Sequence, residues 1–174
     1  MQMLSKKILN KLNRIYKPMS VILDAEVLDN SDKYNFSCFS VFDHRLTNEE
    51  AEHQILFHQQ ALEDGGTPQS KRYYEYHDQF LNFYLDLYNQ TTVYGVCGMF
   101  SGKYPSGVEF DNIEEYKWHV LASIREQIFL RIVLPDFCSV IEGNFDLTHL
   151  LYTLKSKPKE YQHIATIIKS HEMF

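Results

Sequence analysis

Eight aromatic side chains crowd the segment between positions 73 and 94: Tyr73, Tyr74, Tyr76, Phe80, Phe83, Tyr84, Tyr88 and Tyr94. Most fall on helical spacing. Tyr73, Tyr76, Phe80, Phe83, Tyr84 and Leu87 recur at i, i+3, i+7, i+10, i+11 and i+14, which is one broad apolar face. The pattern predicts a helix from about Ser70 to Asn89. It also demands a core layer wide enough to receive that face. Tyr74 lies off the centre of the stripe and is expected to be exposed.

Elsewhere the periodicities are shorter. Leu4, Ile8, Leu12 and Ile15 predict a helix over residues 3–16, stopped by Pro18. Val21 to Leu28 alternates apolar and acidic residues, as a half-buried strand does. Asp29-Asn30-Ser31-Asp32 is turn chemistry, and Tyr34 to Phe42 reads as the second arm of a hairpin. Thr47 and Glu50 form a capping box that opens a helix through Ala51, Ile55, Leu56 and Leu62, ended by Gly65-Gly66. Thr91 to Phe100 predicts a strand and residues 102–107 a loop. A further helix begins near Asp111 and Glu114 and carries Ile113, Tyr116, Val120, Ile124 and Ile128. Phe137 to Ile141 predicts a short strand. Asp146 is placed as the cap of a helix bearing Leu147, Leu150, Leu151 and Leu154. Ser156 and Pro158 open a last helix. The expectation is an α+β fold: a small, mostly antiparallel sheet of about four strands packed against five to six helices. It forms a single globular domain over residues 1–174, with residues 1–18 as a basic amphipathic helix.

Charge is unevenly spread. The net charge is −6 at pH 7. Residues 1–18 hold Lys6, Lys7, Lys11, Arg14 and Lys17 and no acid, whereas residues 19–66 hold ten acids against Lys33 and Arg45. An acidic field of this kind steers basic partners and repels nucleic acid, so no nucleic-acid ligand is expected. Cys38, Cys97 and Cys138 are odd in number and form no Cys-x-x-Cys, the pattern of reduced thiols in a cytoplasmic protein. No apolar run approaches the roughly 18 residues of a membrane span. The N-terminus lacks the apolar core and cleavage site of a signal peptide.

No set of residues completes a known catalytic or cofactor motif. The Glu50/His53 and Glu160/His163 pairs have the spacing of di-iron bundle ligands. Glu50 is already explained as a cap, however, and the strands do not suit a bundle, so no metal is expected. Gly-x-Ser-x-Gly, the P-loop and Gly-x-Gly-x-x-Gly are all missing, and no cofactor is expected. Cys97 between Gly95 and Gly98 is a thiol candidate, with His77 or His119 brought near by folding.

Two functional expectations follow. The first is a non-enzymatic, acidic protein-binding module of the immunity type, neutralising a basic toxin or nuclease domain. Its contacts would be Asp24, Glu26, Asp29 and Asp32 on the hairpin, Glu49 and Glu52 on the next helix, and Tyr74. The alternative is a small-molecule-binding protein or enzyme with an aromatic pocket around Tyr73–Tyr94 and Cys97, anchored by His77, Tyr94 and Cys97.

Overall fold

The computed structural model describes residues 2–16, 32–98, 106–143 and 146–174. Its elements, in chain order, are β1 (Gln2–Met3), α1 (Lys6–Tyr16), β2 (Tyr34–Ser40), α2 (Asn48–Glu52), α3 (His58–Glu63), α4 (Pro68–Gln90) and β3 (Tyr94–Gly98). They continue with β4 (Ser106–Glu109), α5 (Ile113–Ile124), β5 (Phe129–Leu134), β6 (Ser139–Gly143), β7 (Thr148–Leu154) and α6 (Pro158–Ser170). A short 3-10 turn, Pro135–Phe137, joins β5 to β6.

The class is α+β, as expected, but the sheet is larger than the sequence suggests. It has seven strands in the order β1-β4-β3-β5-β6-β7-β2, not about four. Every pairing is antiparallel. The added strands come from segments whose patterning misleads. Phe129–Leu134 extends the apolar run expected to end a helix, and Thr148–Leu154 carries leucines at helical spacing by coincidence. Ser106–Glu109 lies partly in the expected loop. The strand expected over Val21 to Leu28 lies outside the described residues.

Burial on both faces explains the misreading. Leu130, Ile132 and Leu134 of β5 enter one core cluster, with Phe80, Phe83 and Leu87 of α4, Val120 of α5 and Ile164 of α6. Val133 enters a second cluster with Leu12 and Tyr16 of α1, Tyr94, Val96, Val140 and Tyr152. Since neighbours along a strand point to opposite faces, the sheet is the middle of three layers. One face carries α4, α5 and α6, and the other carries α1. A strand covered on both sides shows an unbroken apolar run and loses its period of two.

Local signals set the helix ends. Thr47 and Glu50 form the predicted capping box. The helix it opens stops at Glu52, and a second short helix starts at His58. Asn112, one residue beyond the expected Asp111, caps α5 through the Glu115 N–H. Gly95 is required by packing: an added Cβ would lie 2.6 Å from Phe110 Cζ and 3.0 Å from Val108 Cγ2.

Candidate functional site

The loop and two short helices between β2 and α4 carry a dense run of acidic residues. Residues 43–64 carry Asp43, Glu49, Glu50, Glu52, Glu63 and Asp64 against Arg45 as the one fixed cation. All but the half-buried Glu50 are exposed. Two large apolar side chains lie exposed among them, Phe57 at 37% and Leu62 at 55%. His44 bridges part of this surface, with Nδ1 2.6 Å from Asp43 Oδ1 and Nε2 3.1 Å from Glu50 Oε1. Those two carboxylates, Asp43 foremost, raise the His44 pKa above its ordinary value. Glu50 also accepts from the Thr47 N–H at 2.8 Å and the Thr47 hydroxyl at 2.9 Å, and the Thr47 backbone bond is the main reason its own pKa is lowered.

Beside this surface runs a groove of about 540 Å³. Its walls include Phe39, Phe42, Leu46, Leu56 and Phe174, with Asp43, Arg45 and Asp146 at polar positions. Phe174 is held there by a backbone bridge to Ser40.

Beneath the same segment lies a polar cluster. The His58 ring sits 6.2 Å from that of Tyr73 and 6.3 Å from that of Tyr74. His77, also against Tyr74, has Nε2 3.4 Å from Arg125 Nε and Nδ1 3.4 Å from Asp78 Oδ1. Burial lowers the pKa of both histidines, and Arg125 adds to it. Glu126, at a left-handed backbone position with φ of 59°, accepts from the His58 backbone N–H. Its carboxyl is raised, chiefly by burial. Two buried atoms here have no hydrogen-bond partner, Tyr73 Oη and His58 Nδ1.

The residues anticipated from sequence disperse. Asp24, Glu26 and Asp29 lie outside the described residues. Asp32 is exposed in the turn before β2, and Glu49 and Glu52 are exposed on α2. Tyr74 is half-buried and packs edge-on against Tyr73. His77 is buried on α4. Tyr94 and Cys97 point to opposite faces of the sheet, Tyr94 towards the α1 layer and Cys97 against the α4 layer. Burial pushes the Cys97 thiol up to about 12, so its nucleophilic thiolate is scarce near neutral pH. Sequence reasoning misses His58, Arg125, Glu126 and Asp146, which only folding assembles. Among the described residues no group of three or more His, Cys, Asp or Glu side chains is placed to hold a metal ion. Among them, too, no helix is long and apolar enough to cross a membrane. No known protein family, curated protein or solved structure matches this chain.

Proposed function

We propose that the protein is a non-enzymatic binding module that captures a basic protein through the acidic surface of residues 43–64. The observation that carries this reading is the pairing of carboxylates with exposed Phe57 and Leu62 beside a partly apolar groove. Carboxylates alone serve solubility. Carboxylates around exposed apolar anchors have the make-up of an interface, in which anchors supply affinity and charge supplies rate and selectivity. An immunity-type role against a basic toxin or nuclease domain is the finer form of this proposal, and it rests on charge alone. Replacing Glu49 and Glu52 by lysine is expected to slow association with the captured partner about tenfold at low salt. The difference should shrink as salt rises. Association rates that match wild type at every ionic strength would remove the acidic surface from the interface.

A second reading, a small polar ligand bound at the cluster under α3, is favoured by the unpartnered Tyr73 Oη and His58 Nδ1. Buried polar atoms without partners are uncommon, and each asks for water or a ligand. Tyr73→Phe removes only the hydroxyl. With nothing bound to that oxygen the variant should gain about 1 kcal/mol, read as a higher urea midpoint. A lower midpoint would mean that water or a ligand already satisfies it.

A further inference from the structure

Among the described residues, the sheet ends at β2, and the edge facing away from β7 carries only Phe174. Which backbone groups point outward is fixed at both ends of the strand. Ser40 donates to the Phe174 carbonyl at 3.0 Å and accepts from the Phe174 N–H at 2.9 Å. At the other end the Lys155 N–H donates to the Lys33 carbonyl at 2.9 Å. Antiparallel ladders alternate, so odd positions bond β7 and even positions face outward. Tyr34, Phe36 and Cys38 therefore offer N–H and C=O groups on the outer edge. The strand reads Tyr-Asn-Phe-Ser-Cys-Phe-Ser. It has no lysine, proline or charge, the usual protections of an edge. Phe36 is 59% exposed, and Cys38 is exposed.

We propose that β2 forms the contact of a two-fold homodimer, pairing antiparallel with β2 of a second copy about Phe36. Charge selects this occupant. The Tyr34 end of the strand is net basic, with Arg14, Lys33 and Lys155 lining one shallow groove against the exposed Asp32. The Ser40 end leads directly into the acid-rich segment that begins at Asp43. Antiparallel pairing of two copies sets the basic end of each against the acidic end of the other, and symmetry makes the match twice. A uniformly basic foreign strand would meet repulsion at the Tyr34 end. The register fits as well. A two-fold axis at Phe36 pairs Tyr34 with Cys38 of the second copy. It would bring position 32 of that copy to Ser40, the rung already occupied by Phe174. Asp32 and Lys33 are a turn, so the second copy's chain leaves the edge there. The contact draws on the Asp43 end of the acidic surface proposed above but needs no captured partner, so the behaviour of the chain alone tests it apart from that function.

Sedimentation velocity of the full chain across micromolar concentrations tests this. A dimer that weakens with salt is expected. Cys38→Pro removes an outward N–H while leaving every bond to β7, and should weaken the dimer about tenfold or more. Phe36→Lys, at an exposed position, should do the same and guards against a proline that disturbs the strand. Hydrogen-bonded antiparallel neighbours have Cα atoms about 5.5 Å apart, within disulfide reach. Phe36→Cys in a Cys38→Ser background should therefore cross-link two copies on oxidation. A wild-type chain that sediments as a monomer would overturn the proposal. So would two folded edge variants that dimerise like wild type, or a Phe36→Cys chain that does not cross-link.

Discussion

Replacing Phe80 by alanine is expected to remove about 3–5 kcal/mol of folding stability. Phe80 is fully buried at 0% exposure near the middle of α4. Its ring stacks on His149 at 4.1 Å and 13° and packs against Phe39 at 6.2 Å. It thus joins α4 to β7 and β2, the elements behind the groove. Deletion leaves a cavity among side chains that cannot easily collapse. His149 is held by Tyr84, and Phe39 is held by Phe83 at 5.3 Å. Domains of this size have about 5–15 kcal/mol in all, so the variant should be marginal. Urea unfolding should show a much lower midpoint with little change in slope. Trp118→Ala, at a residue 60% exposed, is the control and should move stability by no more than about 0.5 kcal/mol. Equal midpoints for the two variants would mean that the α4 face is not the centre of the core.

The same helix shows why some of this fold is legible in sequence and some is not. α4 packs one face and wets the other, so Tyr73, Phe80, Phe83, Tyr84 and Leu87 keep their period. β5 packs both faces, and the alternation that would mark it as a strand disappears into Phe-Leu-Arg-Ile-Val-Leu. In β7, Leu150, Leu151 and Leu154 mimic a helical stripe, although Leu151 belongs to one side of the sheet and Leu150 and Leu154 to the other. Leu147, counted in that stripe, sits in the preceding turn at φ of 56°. The acidic surface is legible as composition because it lies on one stretch of chain. The polar cluster is not, because His58, Tyr73, His77, Arg125 and Glu126 come from three segments. They meet only after the chain reverses at Glu126, and no spacing records that reversal. The outer position of β2 is equally hidden: its uncharged sequence reads like an interior strand, and only the strand order puts it at the edge.

His149 should make the protein acid-sensitive well above the carboxylate range. It is buried at 3% exposure, and burial lowers its pKa from an ordinary 6.5 to about 3. Tyr84 Oη lies 2.5 Å from Nδ1. Burial also raises the Tyr84 pKa, so the phenol keeps its proton and donates to a neutral imidazole. Above pH 6.5 the ring is neutral whether the chain is folded or not, and pH has no purchase on it. Below 6.5 the unfolded chain takes up a proton that the folded chain refuses. Stability then falls by about 1.4 kcal/mol per pH unit, a total on the order of a few kcal/mol by the time pH reaches the folded value. His77 and His58, also lowered, add loss of the same sign. Glu126 and Asp146 are raised and act oppositely: their stabilisation is complete below their ordinary values and is lost as pH rises through the folded ones. Their opposing slope lies at and above the ordinary carboxylate values, where it offsets part of the histidine loss, so the contribution of His149 is read from a variant that leaves both carboxyls in place. His149→Gln isolates the largest contributor. The amide oxygen can still accept from Tyr84, but the side chain does not titrate. The variant should be less stable than wild type at neutral pH, having lost the stack on Phe80, and its urea midpoint should fall less steeply as pH drops. The two slopes should differ by one proton. Parallel slopes would mean that His149 is protonated in the fold, and the buried Tyr84–His149 pair would then be an ion-stabilised contact in place of a neutral one.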